Sequence, residues 1–338
     1  MQSSSEFSNS LPRLALPSAL RTLEFLADIL QTPSPAPPSF RENMEYWALR
    51  VLVEAVGLLP RPVARAAGAA IGWICWKTLG GLRRTGLRNL KLAFPDKTDA
   101  ERREILRELY RTLGWQIAEF CKMRGYTLES ASQFVRYEGL ENYLQARNKG
   151  KGVLVLTGHL GAWELSSFYH SLRGYPMSVV IRRLDNPRVD AFVNGIRCMH
   201  GNRVLHKDDF ARGLLSAMHR GETVGILMDT NMTPPQGVFV PFFGVEACTA
   251  SGMARVALKT GAAVLPGFLL WEKTEKRYVL HFGEELNLIR TGNAEADILA
   301  NTALFAAATE AYIRRYPEQW LWVHRRWKTR PEGEGSLY

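Results

Sequence analysis

The 338-residue chain predicts an α/β fold: a mostly parallel central sheet of about seven strands flanked by helices, with membrane-associating helices ahead of it. Three observations predict it. From residue 135 onward, short runs rich in Val, Ile and Leu alternate with longer segments whose apolar residues recur at helical spacing, the pattern of strands joined through crossover helices. Several chemistry-bearing residues fall directly after those runs, at strand ends, where open α/β sheets gather their ligands. Residues 45–92 hold apolar segments broken by basic side chains, none long enough to span a bilayer.

The first 43 residues are rich in Ser and Pro, and they read as a disordered or non-native extension with one short helical stretch at 19–30. They lack the pattern of a cleavable signal. Residues 44–97 read as the membrane-associating region, with apolar helices at 45–59 and 63–82 that carry Trp47, Trp73 and Trp76 among Arg50, Glu54, Arg65 and Lys77. The longest uncharged stretch, 66–76, is far short of the roughly 20 residues of a spanning helix. Such helices lie in the membrane interface, and the basic segment with Arg83, Arg84, Arg88 and Lys91 would face lipid headgroups. Packing of the same helices onto a soluble core is the alternative.

Thr98-Asp99-Ala100-Glu101 is a capping box, followed by Ile105, Leu106, Leu109, Leu113, Ile117 and Phe120 at helical spacing. The α/β domain is then read over 98–331, with a flexible tail at 332–338. Its strands fall at 135–138, 153–157, 178–182, 203–205, 223–228, 264–271 and 277–282. Helices fit at 162–172, 187–200, 209–220 and 251–260, with Gly221 and Gly261 as stops, and a long helix over 294–316 closes the core.

A formal charge of +10 and a pI near 9.6 favour a polyanionic partner. The basic residues sit among Leu and Trp, in the 83–91 cluster and again at Arg314, Arg315, Arg325, Arg326 and Lys328, which suits a membrane surface better than a DNA groove. No nucleic-acid motif accompanies them. Cys75, Cys121, Cys198 and Cys248 have no C-x-x-C spacing, against both a disulfide framework and a zinc site, and for a reducing compartment.

The most informative stretch is Gly158-His159-Leu160-Gly161-Ala162-Trp163-Glu164, directly after the run Val153-Leu154-Val155-Leu156. Five steps turn a helix by roughly 500°, so on one regular helix His159 and Glu164 would point apart. His159 therefore belongs in the turn, which Gly158 and Gly161 make possible, and Glu164 in the first turn of the next helix, where the dipole favours a carboxylate. From there Glu164 can reach one imidazole nitrogen and leave the other as a general base. The same spacing also fits a capping histidine and a solvated acid. A metal is disfavoured, because neither a second His four residues away nor a Cys cluster accompanies His159, and no G-x-S-x-G elbow occurs.

Two further strand ends carry candidates. Arg182, in Ile181-Arg182-Arg183-Leu184-Asp185-Asn186-Pro187, is placed to bind a phosphate or an oxyanion, or simply to pair with Asp185. Asp229 ends the run Val224-Gly225-Ile226-Leu227-Met228, and the loop after it, with Val238 to Gly244, could shape a groove for an acyl chain or form plain core.

From about residue 44 to 331 these blocks, with Pro317-Glu318-Gln319-Trp320-Leu321-Trp322-Val323-His324-Arg325-Arg326-Trp327-Lys328, Arg88-Asn89-Leu90 and Phe94-Pro95, give a chain that resembles the lipid A biosynthesis acyltransferases, the lauroyl/myristoyl transferase family of the lysophospholipid acyltransferase-like superfamily. The resemblance implies transfer of a fatty acyl group from an acyl carrier protein or coenzyme A thioester to a hydroxyl of a glycolipid, at the cytoplasmic face of the inner membrane. It implies His159 as general base with Glu164 as its partner, and places Arg182 and Asp229 in or near the active site as substrate-binding residues. No metal or cofactor is expected, because a thioester is already activated. The chain departs from the family at Arg183, where proline is common, Thr230, where glutamine is common, and Leu160, where an aromatic is common. These leave the acceptor open to a phosphatidylinositol mannoside, a lysophospholipid or an amino-lipid. A non-catalytic peripheral protein that holds lipid is the reading from another class.

Overall fold

A computed structural model of the chain describes the backbone of residues 38–206 and 210–338. The disorder expected over 1–43 and the short helix at 19–30 thus fall almost wholly outside the described residues. At its end the structure differs from the expectation: the first described helix, α1 (Phe40–Leu58), begins before residue 44. A capping box starts it there, with Ser39 N–H donating to Glu42 Oε2 at 2.6 Å and Glu42 N–H to Ser39 Oγ at 3.2 Å.

Pro60 separates α1 from α2 (Arg61–Thr78), and α3 (Gly80–Ala93) follows at once. The expected capping box at Thr98 opens α4 (Asp99–Lys122), against which α2 packs. Polar groups fix that contact. Glu119, buried on α4, receives Arg61 at 2.7 Å and the Tyr126 hydroxyl at 2.6 Å, and the Arg65 guanidinium lies between the rings of Trp115 and Trp271. The remaining surface of α1–α3 exposes Trp47, Val51, Leu58, Val63, Trp73, Ile74 and Leu82. No described helix is long and apolar enough to cross a membrane.

A short helix α5 (Leu128–Ser132) leads into the sheet, whose seven strands all lie where the apolar runs predict them. They are β1 (Val135–Glu138), β2 (Val153–Thr157), β3 (Ser178–Ile181), β4 (Arg203–His206), β5 (Thr223–Leu227), β8 (Ala263–Glu272) and β9 (Arg277–Phe282). Between them run α6 (Leu140–Asn148), α7 (Trp163–Leu172), α8 (Pro187–Arg197), α9 (Phe210–His219) and α10 (Gly252–Thr260). The spatial order is β1-β9-β8-β2-β5-β3-β4, and only the β8–β9 pair is antiparallel. β2 and β5 sit at its centre and are buried along nearly their whole length, hence their continuous apolar sequence.

The segment after Asp229 corrects one reading. It is not a long loop over a groove but a hairpin, β6 (Gly237–Phe242) and β7 (Val245–Ala250), paired Gly237↔Ala250 through Phe242↔Val245. Val240, Phe242 and Phe243 are buried against Trp320, Trp322 and Trp327, so the aromatic residues there are core. The helix α11 (Ala294–Arg315), capped by Asn293, closes that core as expected. The tail read as flexible is docked at its far end: the Tyr338 hydroxyl donates to Asn89 Oδ1 at 2.6 Å and accepts the Trp327 N–H at 3.1 Å, and Leu337 packs on the same cluster.

Candidate active site

The parallel register of β2 and β5 builds the site. Its last pair, Thr157↔Leu227, leaves both chains leaving the sheet side by side, so that the second residue beyond each strand meets the other. Those residues are His159 and Asp229. Asp229 Oδ1 lies 2.9 Å from His159 Nδ1, and Asp229 Oδ2 accepts the backbone N–H of His159 at 2.6 Å. Gly158 is needed for this approach, because a Cβ there would stand 2.9 Å from the Asp229 carboxylate. Gly161, at φ +66°, turns the chain toward α7 so closely that a Cβ would meet the Leu269 carbonyl at 2.1 Å.

A third segment straps the turn from outside. Trp320 bridges Leu160 in antiparallel fashion, Gly161 N–H donates to the Gln319 carbonyl at 3.0 Å, and Leu321 N–H to the His159 carbonyl at 3.1 Å. This brings the Trp320 indole N–H to Asp229 Oδ2 at 2.8 Å. Asn89 of α3 holds the strap in turn, donating to the carbonyls of Trp322 and His324 at 2.6 and 2.7 Å. His324 Nε2 accepts the Asn231 N–H at 2.9 Å, and the buried Arg326 donates to the Cys248 carbonyl at 2.8 Å.

The electrostatics follow from burial. Burial alone would raise the Asp229 carboxyl, but the imidazole of His159, its side-chain and backbone hydrogen bonds and the Trp320 indole outweigh it and hold Asp229 below the usual carboxylate range. Asp229 is therefore an anion that can only accept, which places a proton on His159 Nδ1 and, in the neutral ring, the lone pair on Nε2. Burial pushes His324 down, with Asp229 opposing and His159 and Arg326 adding to the effect. Burial also lowers Arg326, to about 10, partly offset by Asp229. The His159 side chain is 26% exposed and its ring meets Trp163 edge-on at 5.1 Å. One buried acid, one half-open imidazole and a fixed tautomer can take a proton from a hydroxyl brought to Nε2.

The four residues singled out in the sequence part company here. The carboxylate on the imidazole is that of Asp229, not Glu164, and Asp229, 2% exposed, holds His159. Glu164 does occupy the first turn of α7, but its oxygens are taken by Arg197 at 2.5 and 2.9 Å. Arg182 lies beyond β3, 74% exposed, and its described partner is Asp185 at 3.3 Å. Arg197 had no local signal: it is the last residue of α8, and only the packing of α7 on α8 reveals it. Trp320 and His324 lie inside a block quoted for its resemblance, but their roles depend on contacts with residues near 229 and 231, far away in sequence.

Residues 36–329 match the model of the family described as bacterial lipid A biosynthesis acyltransferase. The chain belongs to that family. It is similar to the Escherichia coli lipid A biosynthesis palmitoleoyltransferase, 30% identical over 281 residues that cover 83% of this chain and 90% of the relative. The lauroyltransferase of the same organism is 28% identical over 83% of this chain and 90% of its own length, and the myristoyltransferase 25% identical over 89% and 92%. This member of the lipid A acyltransferase family is thus an acyltransferase, and the His159 corner, the strap and the hairpin all fall within the matched residues.

Proposed function

We propose that the chain moves a fatty acyl group from an acyl carrier protein or coenzyme A thioester to a hydroxyl of a lipid A precursor or a related glycolipid, with His159 as general base. The observation that carries this reading is the contact of the buried Asp229 carboxylate with His159 Nδ1. It gives the imidazole the tautomer a base requires and stabilises the imidazolium once the proton has moved. The acceptor oxygen attacks the thioester carbonyl as Nε2 takes its proton, and the C–S bond then breaks as the imidazolium returns a proton to the departing sulfur. A thioester needs neither a metal nor a covalent enzyme intermediate for this exchange.

Around the base, the paired Glu164 and Arg197 fix the entry of α7 against α8, and the exposed Arg182 guanidinium is available to a substrate phosphate, its surface pair with Asp185 being weak. The apolar surface of α1–α3, interleaved with Arg84, Arg88 and Lys91, suits an anionic membrane surface at the cytoplasmic face of the inner membrane, where the glycolipid acceptor would be met. The names of the relatives, which transfer palmitoleoyl, lauroyl and myristoyl groups in lipid A biosynthesis, support the same acceptor. Mass spectrometry of lipids from cells with and without the gene tests it. Glycolipid should lose one acyl mass on deletion, whereas a change confined to phospholipids would overturn the acceptor.

A further inference from the structure

Asp229 has two oxygens with different duties. Oδ1 holds the imidazole, while Oδ2 accepts the His159 backbone N–H at 2.6 Å and the Trp320 indole N–H at 2.8 Å. Trp320 is 1% exposed, so its N–H has no solvent to turn to. We propose that Trp320 is a positioning residue that sets the strength of the base, its indole drawing charge onto the far oxygen of Asp229. The inference rests on His159 being the general base.

The physical reason is a competition for one negative charge. Each donor on Oδ2 draws charge from Oδ1, so Oδ1 attracts the imidazole proton less and stabilises the imidazolium less. An imidazolium cannot act as a base. A carboxylate with fewer donors would hold His159 charged to higher pH and shrink the range in which the enzyme works. The indole also fixes the carboxylate plane, which a flexible donor would not do.

Other features of the strap isolate this effect. The backbone around Trp320 is tied to the His159 turn by the Gly161–Gln319 and Leu321–His159 hydrogen bonds, neither of which needs the indole. The ring itself packs on Phe242 at 5.6 Å and on Trp322 at 4.5 Å between centroids, contacts that a phenyl ring can make. Among the described residues, the charged and titratable groups around the pair include His324 and Arg326 on the strap, with Cys248 of β7 beside Arg326, and further along α7 Glu164 with Arg197 of α8. Trp320→Phe replaces none of them. It removes one N–H.

The test is the pH profile of kcat/KM for thioester-dependent acyl transfer by the full chain, wild type against Trp320→Phe. The acid limb should move to higher pH by about half to one unit, a part of the roughly one to two units that one hydrogen bond to a charged group is worth, because the effect reaches the ring through Asp229, with the plateau largely kept. The His159 ring, followed by NMR in histidine-labelled protein, should titrate higher by the same amount. An acid limb that stays in place, moves lower, or is replaced by a uniform loss at all pH values would overturn the inference. Should Trp320→Phe fail to fold, fluorinated tryptophan supplied to the wild-type chain makes the indole a stronger donor and should move the limb to lower pH; no movement would count against the role. His159→Gln separates the two levels. If it remains active, the base reading itself fails; if it is inactive while Trp320→Phe leaves the limb unmoved, only the role of Trp320 fails.

Discussion

Two strand ends on either side of β5, the corner after β2 and the corner after β3, carry the same kind of sequence: an apolar strand, a charged or titratable residue and a helix start. Their structures differ sharply. At the first, His159 meets a fully buried carboxylate, an antiparallel strap and a second hydrogen-bonded layer from Asn89. At the second, Arg182 and Asp185 are 74% and 95% exposed and meet each other at 3.3 Å. A strand end supplies only a position; a parallel neighbour of matched length supplies a partner. β5 ends level with β2 and delivers Asp229; β3 pairs with β5 only through Ser178↔Val224 and Val179↔Gly225, and β4, which ends level with it at Ile181↔His206, is followed by residues outside the described ones. The strapped corner therefore has the fixed geometry that proton transfer requires, whereas the open one leaves Arg182 and Asp185 largely to solvent.

Substitutions should follow that gradient. The largest loss is expected at His159→Ala, about 10²–10⁴-fold in turnover, with circular dichroism and membrane binding unchanged. Asp229→Asn should come close to it, on the order of 10³-fold, because an amide can leave the imidazole in the wrong tautomer. A loss of less than threefold in either would make the strapped corner a structural feature only. Glu164→Gln should cost about 10- to 100-fold, since it weakens the bidentate hold of Arg197 and leaves a half-buried guanidinium poorly matched, and Arg197→Ala should resemble it. At the open corner Arg182→Ala should raise KM several-fold with little change in kcat, and Arg182→Lys, which keeps the charge but loses the planar fork, should fall between it and the wild type. Equal KM in all three would remove Arg182 from the substrate.

The pH dependence of stability gives a smaller, independent contrast. Asp229 is held below its usual range, so its contribution to folding is fully present above the unfolded value of about 3.9 and is lost as pH falls through its lower native value. The gap in thermal midpoint between wild type and Asp229→Asn should thus not close between about pH 7 and about pH 5, where protonation of His159 against the anion can only widen it, and should close only in stronger acid. A gap that closes already near neutrality would mean that the carboxylate is not held as an anion.

The sheet was legible because β2, β5 and β8 are buried enough to write themselves as apolar runs, and the corner because Gly158 and Gly161 flank a turn that needs close backbone approach. The hairpin was not, because its Pro- and Thr-rich entry resembles a loop and its aromatic residues a ligand groove. The partner of His159 was missed for a different reason. Glu164 is near in sequence and Asp229 is 70 positions away, and only the β2–β5 register decides between them. Tyr338 likewise shows no local sign of docking, since its partners Asn89 and Trp327 belong to other elements.

The most direct test of the central claim, that His159 and Asp229 act as one unit, is a double-mutant cycle read by acyl transfer from a labelled thioester to glycolipid. Purified, folded His159→Ala, Asp229→Ala and the double variant should all fall to about the same residual turnover, because a base without its orienting anion and an anion without its base are equally idle. Near-wild-type turnover in His159→Ala, or losses that multiply in the double variant, would contradict it.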